Sequence, residues 1–150
     1  MKKGANRTVA IILYSMCAEG TPVLMLDLAR YWRDLGIRVR VISLYSTPND
    51  MHEEYENEGF QIHYLNLKPT GYLRYFHIAY ASFKLAFFSR VQSFFSLPFG
   101  WHCFVAWGAK LGGANRVIAY VGNYPPLTDL NGLRKLKILI TLGGLSLIHI

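Results

Sequence analysis

The groups in this chain that could take part in chemistry gather at a few turn positions. Gly20 and Thr21, in Glu19-Gly20-Thr21-Pro22, stand where an apolar run gives way to a helix pattern. A glycine just before a helix start lets backbone N–H groups approach a phosphate or sugar closely, and the helix dipole helps. A plain strand–helix turn would carry the same glycine. Gly122 and Asn123 follow a second apolar run and precede Tyr124-Pro125-Pro126. The Asn123 amide offers donors and an acceptor to sugar hydroxyls, and the same residue type serves as an Asx-turn residue. From Phe60 to Thr128 there is no Asp or Glu, so His63, His77 and His102 are the bases available there near neutral pH. His63 falls in a predicted strand and His77 on a predicted helix face, which leaves His102 as the candidate catalytic base. No His/Cys cluster has metal-ligand spacing, so no metal is expected. Cys17 and Cys103 lie far apart without a CxxC spacing, which fits reduced thiols better than a disulfide scaffold.

The elements that must position these residues follow a repeating order. Residues 8–14 (TVAIILY) form a short continuous apolar run, the mark of a buried parallel strand. Thr21 is expected to cap a helix that begins at Pro22, runs to about Leu35 and ends at Gly36 in the left-handed conformation. Residues 38–44 alternate as a second strand. Asn49 or Asp50 is expected to cap a helix over 51–58 ended by Gly59, and 60–65 reads as a third strand. A long helix is predicted over 72–90. Its Leu73, Phe76, Tyr80, Phe83 and Phe87 recur in steps of three and four, which reads first as a core-facing stripe. A strand over 91–95, a turn at 97–100, a helix over 101–111 and a strand over 116–121 follow. Residues 127–140 read as a helix, although 137–142 could be a strand. The alternation predicts an α/β, Rossmann-like doubly wound parallel sheet, with the strands at Val9, Arg38 and Arg116 central. In such a sheet the loops at 15–21, 45–49, 96–100 and 122–125 share the carboxyl edge, where ligands sit.

The chain has 150 residues and is 52% hydrophobic and 17% charged, enough for one domain with a real core and incompatible with disorder. Its net charge of +7 is unevenly spread. The first 58 residues carry eight acids and seven bases, whereas the acid-free stretch carries Lys68, Arg74, Lys84, Arg90, Lys110 and Arg116 among most of the aromatics. Basic and aromatic side chains together suit an anionic membrane surface; an ordinary buried helix with a solvated basic rim would look the same. Nucleic acid is not an expected partner, because the basic residues are single and spaced. Residues 91–109 are uncharged but interrupted by Gln92, Pro98, Gly100 and His102, which disfavours a spanning helix. The apolar run after Lys2 and Lys3 is short for an export signal, and Ser15-Met16 before Cys17 makes a poor lipoprotein cleavage pattern. A cytoplasmic location is expected, peripheral at the inner face of the membrane.

Over about residues 9–126 the order resembles the amino-terminal domain of the glycosyltransferase family 4 enzymes, retaining enzymes with the GT-B fold. Two segments carry the resemblance. One is strand 9–14, the loop with Gly20, and the run from Pro22 through Leu28-Ala29-Arg30 and Leu35-Gly36 into the alternating strand ending at Ile42. The other is Arg116-Val117-Ile118-Ala119-Tyr120-Val121-Gly122-Asn123-Tyr124-Pro125-Pro126, similar to a strand followed by Gly-Asn-x-Pro-Pro in a subset of these enzymes. This sequence has one glycine in the first loop where a pair is common. Tyr120 stands where a histidine is common, and the fourth strand reads Ser93-Phe94-Phe95-Ser96 where histidines are usual. The resemblance implies a hexose transfer from a nucleotide sugar to a lipid-linked or polysaccharide acceptor, with no cofactor beyond the nucleotide-sugar substrate. The leaving diphosphate would accept the acceptor's proton. Gly20, Thr21, Ser96, Tyr120, Gly122 and Asn123 are the implied substrate-binding residues.

A GT-B enzyme also needs a second, donor-binding domain, and the expectation is that this chain stops before it. Residues 1–144 would be the acceptor-side domain. Residues 145–150 (LSLIHI) resemble the in-frame translation of a transposase sequencing-adapter end, so a non-native tail is expected beside the alternative of a genuine apolar one. Two other function classes stand against the enzyme. A receiver-like binding module would need acids after the first strand and an Asp ending a later one, whereas Glu19 stands alone and no predicted strand ends in Asp. A membrane-associated structural protein would rest on residues 91–109.

Overall fold

A computed structural model describes residues 7–68, 71–97 and 101–120. In chain order the elements are β1 (Thr8–Leu13), α1 (Gly20–Asp34), β2 (Arg38–Ser43), α2 (His52–Asn57), β3 (Ile62–Tyr64), α3 (Leu73–Phe87), β4 (Ser93–Ser96), α4 (His102–Leu111) and β5 (Arg116–Ala119). The strands form one parallel sheet in the order β3-β2-β1-β4-β5. Val9 pairs with Val39 on one side and Ser93 on the other. Because β1 lies in the middle with helices on both faces, its side chains are buried almost throughout. Alternate residues divide between the two faces. Ala10 and Ile12 pack with Phe94, Val105 and Ala109 under α3 and α4, and Ile11 and Leu13 pack with Met25, Leu26 and Tyr55 under α1 and α2. The expected α/β doubly wound architecture is therefore the observed one.

Several local expectations are corrected. Helix α1 begins at Gly20, with Glu19 at the cap position, because Glu19 N–H closes a 2.7 Å turn onto Cys17 O. Thr21 thus lies inside the first turn, and Pro22 is tolerated there because early helix N–H groups need no intrahelical acceptor. Asp50 does not cap α2; Met51 holds that position, and the Asp50 carboxylate accepts the Ala18 N–H at 3.2 Å instead. Strand β4 spans Ser93–Ser96, displaced toward the carboxyl end of the expected 91–95. The Arg116 strand is not central: among the described residues β5 is an edge strand, with Arg116 and Ile118 exposed. Gly36 (φ 76°) and Gly59 (φ 82°) end α1 and α2 in the left-handed region, as their positions predict.

The largest correction concerns α3. Leu73, Phe76, Tyr80 and Phe87 are 59–72% exposed, and the buried face is Ile78, Ser82 and Ala86. The cause is the partner helix. A Cβ on Gly108 of α4 would clash with the Ala79 carbonyl, and one on Gly112 would stand 2.6 Å from Ala86 Cβ. Contact that close admits only small side chains between the helices, which turns the large rings outward.

Residue 121 of the strand expected over 116–121, residues 98–100 of the turn expected at 97–100, the turn at 122–126, the helix or strand expected within 127–142 and the tail at 145–150 lie outside the described residues.

Candidate functional site

The strand order reverses between β1 and β4, and in open parallel sheets ligands bind beyond the carboxyl ends at such a point. The loop leaving β1 is tied to the loop leaving β2. Met16 N–H donates to Pro48 O at 3.1 Å, and Met51 N–H donates to Met16 O at 2.9 Å. Across the reversal, Leu97 N–H donates to Ile12 O at 3.1 Å, and Tyr120 N–H donates to Ser96 O at 3.0 Å. Between these exits lies a pocket of about 140 Å³ lined by Ser15, Cys17, Glu19 and Thr21, with Leu13 and Leu97 among its apolar walls. That volume suits a sugar hydroxyl or a similar small group. Whole-ligand pockets start at about 300 Å³.

Gly20 and Thr21 open α1 at the rim of this pocket. Their N–H groups have no intrahelical acceptor, and nothing lies within 4 Å of where a Gly20 Cβ would stand. The Glu19 carboxylate shares this helix end and makes no cap hydrogen bond. It already occupies the favourable field of the dipole, so the helix end favours neutral hydroxyls over a further anion. The Cys17 thiol is pushed up, first by desolvation and then by Glu19 and Asp50, and a neutral thiol is a poor nucleophile.

Ser96 and His102 lie on the other side of the sheet, toward α3 and α4. Ser96 follows Phe94 on the same face of β4 and is 1% exposed, with its Oγ lacking a hydrogen-bond partner among the described residues. His102 opens α4 with no exposed surface, and neither ring nitrogen has a hydrogen-bond partner there. Burial lowers its pKa to about 4, so the ring is neutral at pH 7 but out of reach of the pocket. Tyr120 stands at the exit of β5, 36% exposed. Gly122 and Asn123 lie outside the described residues. The structure therefore brings Gly20 and Thr21 together at the pocket rim, sets Tyr120 beside the Ser96 carbonyl, and buries the Ser96 and His102 side chains.

A cluster of rings at the same carboxyl edge escaped the sequence reading. Tyr14 and Tyr45 leave β1 and β2 side by side with centroids 4.8 Å apart, and Trp101 meets them at 6.5 and 6.3 Å. Tyr75 continues the row, 5.3 Å from Trp101. The Arg74 guanidinium sits 4.7 Å over Trp101 and 5.1 Å over Tyr75, a cation–π arrangement that braces both. Rings of this kind present flat apolar faces to the C–H faces of sugars. A signal was available: Leu-Tyr-Ser recurs where both strands give way to their loops, at Leu13-Tyr14-Ser15 and Leu44-Tyr45-Ser46. Among the described residues no group of His, Cys, Asp and Glu could hold a metal ion.

No family model matches the chain, and no curated protein matches it. Among solved structures the chain is similar to the crystal structure of MurG from Acinetobacter baumannii, with a TM-score of 0.58 and 12% identity. The likeness covers 95% of this chain and 39% of that one, so the chain spans well under half of the length of that structure. At this identity the likeness shows the fold, which is GT-B-like and Rossmann-like.

Proposed function

We propose that this chain is the acceptor-side half of a retaining glycosyltransferase that moves a hexose from a nucleotide sugar to a lipid-linked or polysaccharide acceptor. The observation that carries the reading is the small hydroxyl-lined pocket at the β1/β4 reversal, next to the open start of α1, in a fold similar to that of MurG. The pocket is too small for a nucleotide sugar. In this reading the donor is held by a second domain beyond these 150 residues, and the crevice positions the acceptor.

The bond between the anomeric carbon and the diphosphate breaks as a bond to an acceptor oxygen forms, and the acceptor's proton passes to the leaving diphosphate. No protein base is then required, which accords with the burial of His102. The protein's share is positioning. Gly20 and Thr21 donate N–H groups to acceptor oxygens, and Ser15 and Thr21 offer hydroxyls from the pocket wall. The Tyr14–Tyr45–Trp101 rings lie under a sugar face. The Ser96 carbonyl fixes the Tyr120 backbone. Gly122 and Asn123 are the remaining proposed acceptor contacts. A lipid-linked acceptor calls for work at a membrane, peripheral at its cytoplasmic face in this reading. Among the described residues no helix is long and apolar enough to cross one.

The test uses the product of the intact gene, assayed for acceptor-dependent release of nucleoside diphosphate from a panel of nucleotide sugars, with calorimetry on the 150-residue chain in parallel. Turnover by the intact protein and weak or absent donor binding by the chain alone are expected. Tight binding of a nucleotide sugar to this chain, or no turnover with any donor, would defeat the reading.

A further inference from the structure

A second cavity lies away from the carboxyl edge. It is a groove of about 730 Å³ on the α3 side of the sheet, across β2 and β3. Its origin is topological. Helices α1 and α2 pack on the opposite face, and α3 leads across to β4, so among the described residues this face of the β2–β3 pair is only partly covered. Val39, Val41, Ile62 and Tyr64 turn toward α1 and α2, and alternation therefore turns Arg38, Arg40, Gln61 and His63 into the groove. The facing wall is α3, with Tyr80, Lys84, Leu85 and Phe88.

The groove is cationic on the sheet side and aromatic on the helix side. Among the described residues no Asp or Glu lines it, and Arg38, Arg40 and Lys84 are all exposed and form no salt bridge. Lys84 Nζ lies 5.7 Å from the Tyr80 ring centroid. Tyr80 also belongs to the outward stripe of α3, where Phe76 and Phe87 are exposed, and Phe88 on the groove wall is 70% exposed. The groove thus opens directly onto a row of exposed rings. Two of the three basic residues come from β2, well before the acid-free segment, so composition alone did not group them. Of the basic residues of that segment only Lys84 lines the groove; Arg74 is spent on Trp101 and Tyr75 at the carboxyl edge.

We infer that this groove takes the phosphate-bearing headgroup of an anionic phospholipid in a bilayer, with the outward rings of α3 lying at headgroup level beside it. Charge complementarity selects an anion, and the apolar wall of Leu85 and Phe88 suits the glycerol and upper acyl chain behind a phosphate. A nucleic-acid backbone would want a line of cations, whereas these converge on one groove. A second copy of this chain in a symmetric pairing would bring the same three cations face to face. The inference extends the lipid-linked acceptor reading but is measured without any sugar, so either can fail alone.

The test is co-sedimentation of the full 150-residue chain with vesicles of phosphatidylcholine alone or with about 30% phosphatidylglycerol added, since the anionic lipid supplies the surface potential. Binding to the anionic vesicles only is expected, with release between about 0.1 M and 1 M salt as the screening length falls from roughly 10 to 3 Å. Each basic residue near such a surface raises partitioning about fivefold, so Arg38→Gln/Arg40→Gln/Lys84→Gln together should lower it about a hundredfold. Arg116→Gln, an exposed position on β5 outside the groove and not at the bilayer in this reading, should leave it within about twofold. The far-ultraviolet spectrum and melting curve of the triple variant check its fold. If it does not fold, Lys84→Gln alone, with about a fivefold loss, and the wild-type salt titration decide. Absence of binding at low salt, binding unchanged in a folded triple variant, or groove-dependent self-association in place of vesicle binding would each overturn the inference.

Discussion

The two faces of this sheet are built on opposite plans. On the α1/α2 face charges are matched and polar groups satisfied. Glu58 takes Arg30 at 2.8 Å and Arg33 at 3.0 Å, and the buried Tyr55 hydroxyl donates to Pro22 O at 2.7 Å, joining α2 to α1. The arginine hydrogen bonds hold the Glu58 carboxyl below its ordinary pKa, so the cluster stays ionised through neutral pH. On the α3/α4 face the helices are close enough to exclude all but small side chains, the large rings face outward, and the exposed Arg38, Arg40 and Lys84 have no carboxylate beside them among the described residues. The first face matches its charges internally, and the second turns its cations and large rings outward.

The sharpest break of that contrast lies within α3 itself. Ile78, 1% exposed, holds the helix to the core, and Ile78→Ala should cost about 2–4 kcal/mol in urea unfolding. Phe76, 72% exposed, should be replaceable by serine with a change within about 0.5 kcal/mol. If Phe76→Ser costs as much as Ile78→Ala, the stripe is packed and the comparison collapses.

The next effect is pH dependence on the α3/α4 face. His102 has a folded pKa of about 4, against an ordinary value of 6.5 in the unfolded chain, because burial disfavours the imidazolium. The unfolded state therefore binds a proton that the folded state refuses. The stability conferred by the neutral ring is fully present above about pH 6.5 and falls as pH drops toward 4, by up to about 3 kcal/mol in this window. Unfolding curves of wild type and His102→Phe across pH 4–7 check it, and the variant should lose most of that slope. An unchanged slope would mean that the ring is solvated.

The smallest effect belongs to the satisfied face. Tyr55→Phe keeps the ring and removes one buried hydrogen bond to Pro22 O, so it should cost about 1 kcal/mol without altering the fold. A neutral outcome would show that the hydroxyl contact adds nothing to burial of the ring, and would narrow the difference between the faces.

Much of this was legible from local pattern. The runs at β1 and β2, the left-handed glycines after α1 and α2, and the strand–helix alternation are short-range signals, and each appears where the pattern set it. The start of α1 moved because a turn at Cys17–Glu19 supplies the helix entry that Thr21 was expected to supply. The face of α3 was misread for a different reason. Large residues at helical spacing mark a stripe, but whether it faces the core depends on how near the partner helix comes. At Gly108 against Ala79 that nearness is a property of two segments together. The rings at the carboxyl edge were half legible, in the Leu-Tyr-Ser that recurs at the exits of β1 and β2. Trp101 and Arg74 join them only through folding.

The sequence by itself determined the parallel α/β order, the glycine stops and the concentration of rings and bases without acids between Phe60 and Thr128, because periodicity, left-handed backbone and composition are properties of neighbouring residues. Tertiary structure decided that β5 lies at an edge, that Ser96 and His102 turn their side chains inward while Gly20 and Thr21 open outward, and that Arg38 and Arg40 of β2 face Lys84 of α3 across one groove. Which side of an element is covered, and which charges share a space, depends on pairwise packing between distant segments. Such packing is settled only when the sheet order is.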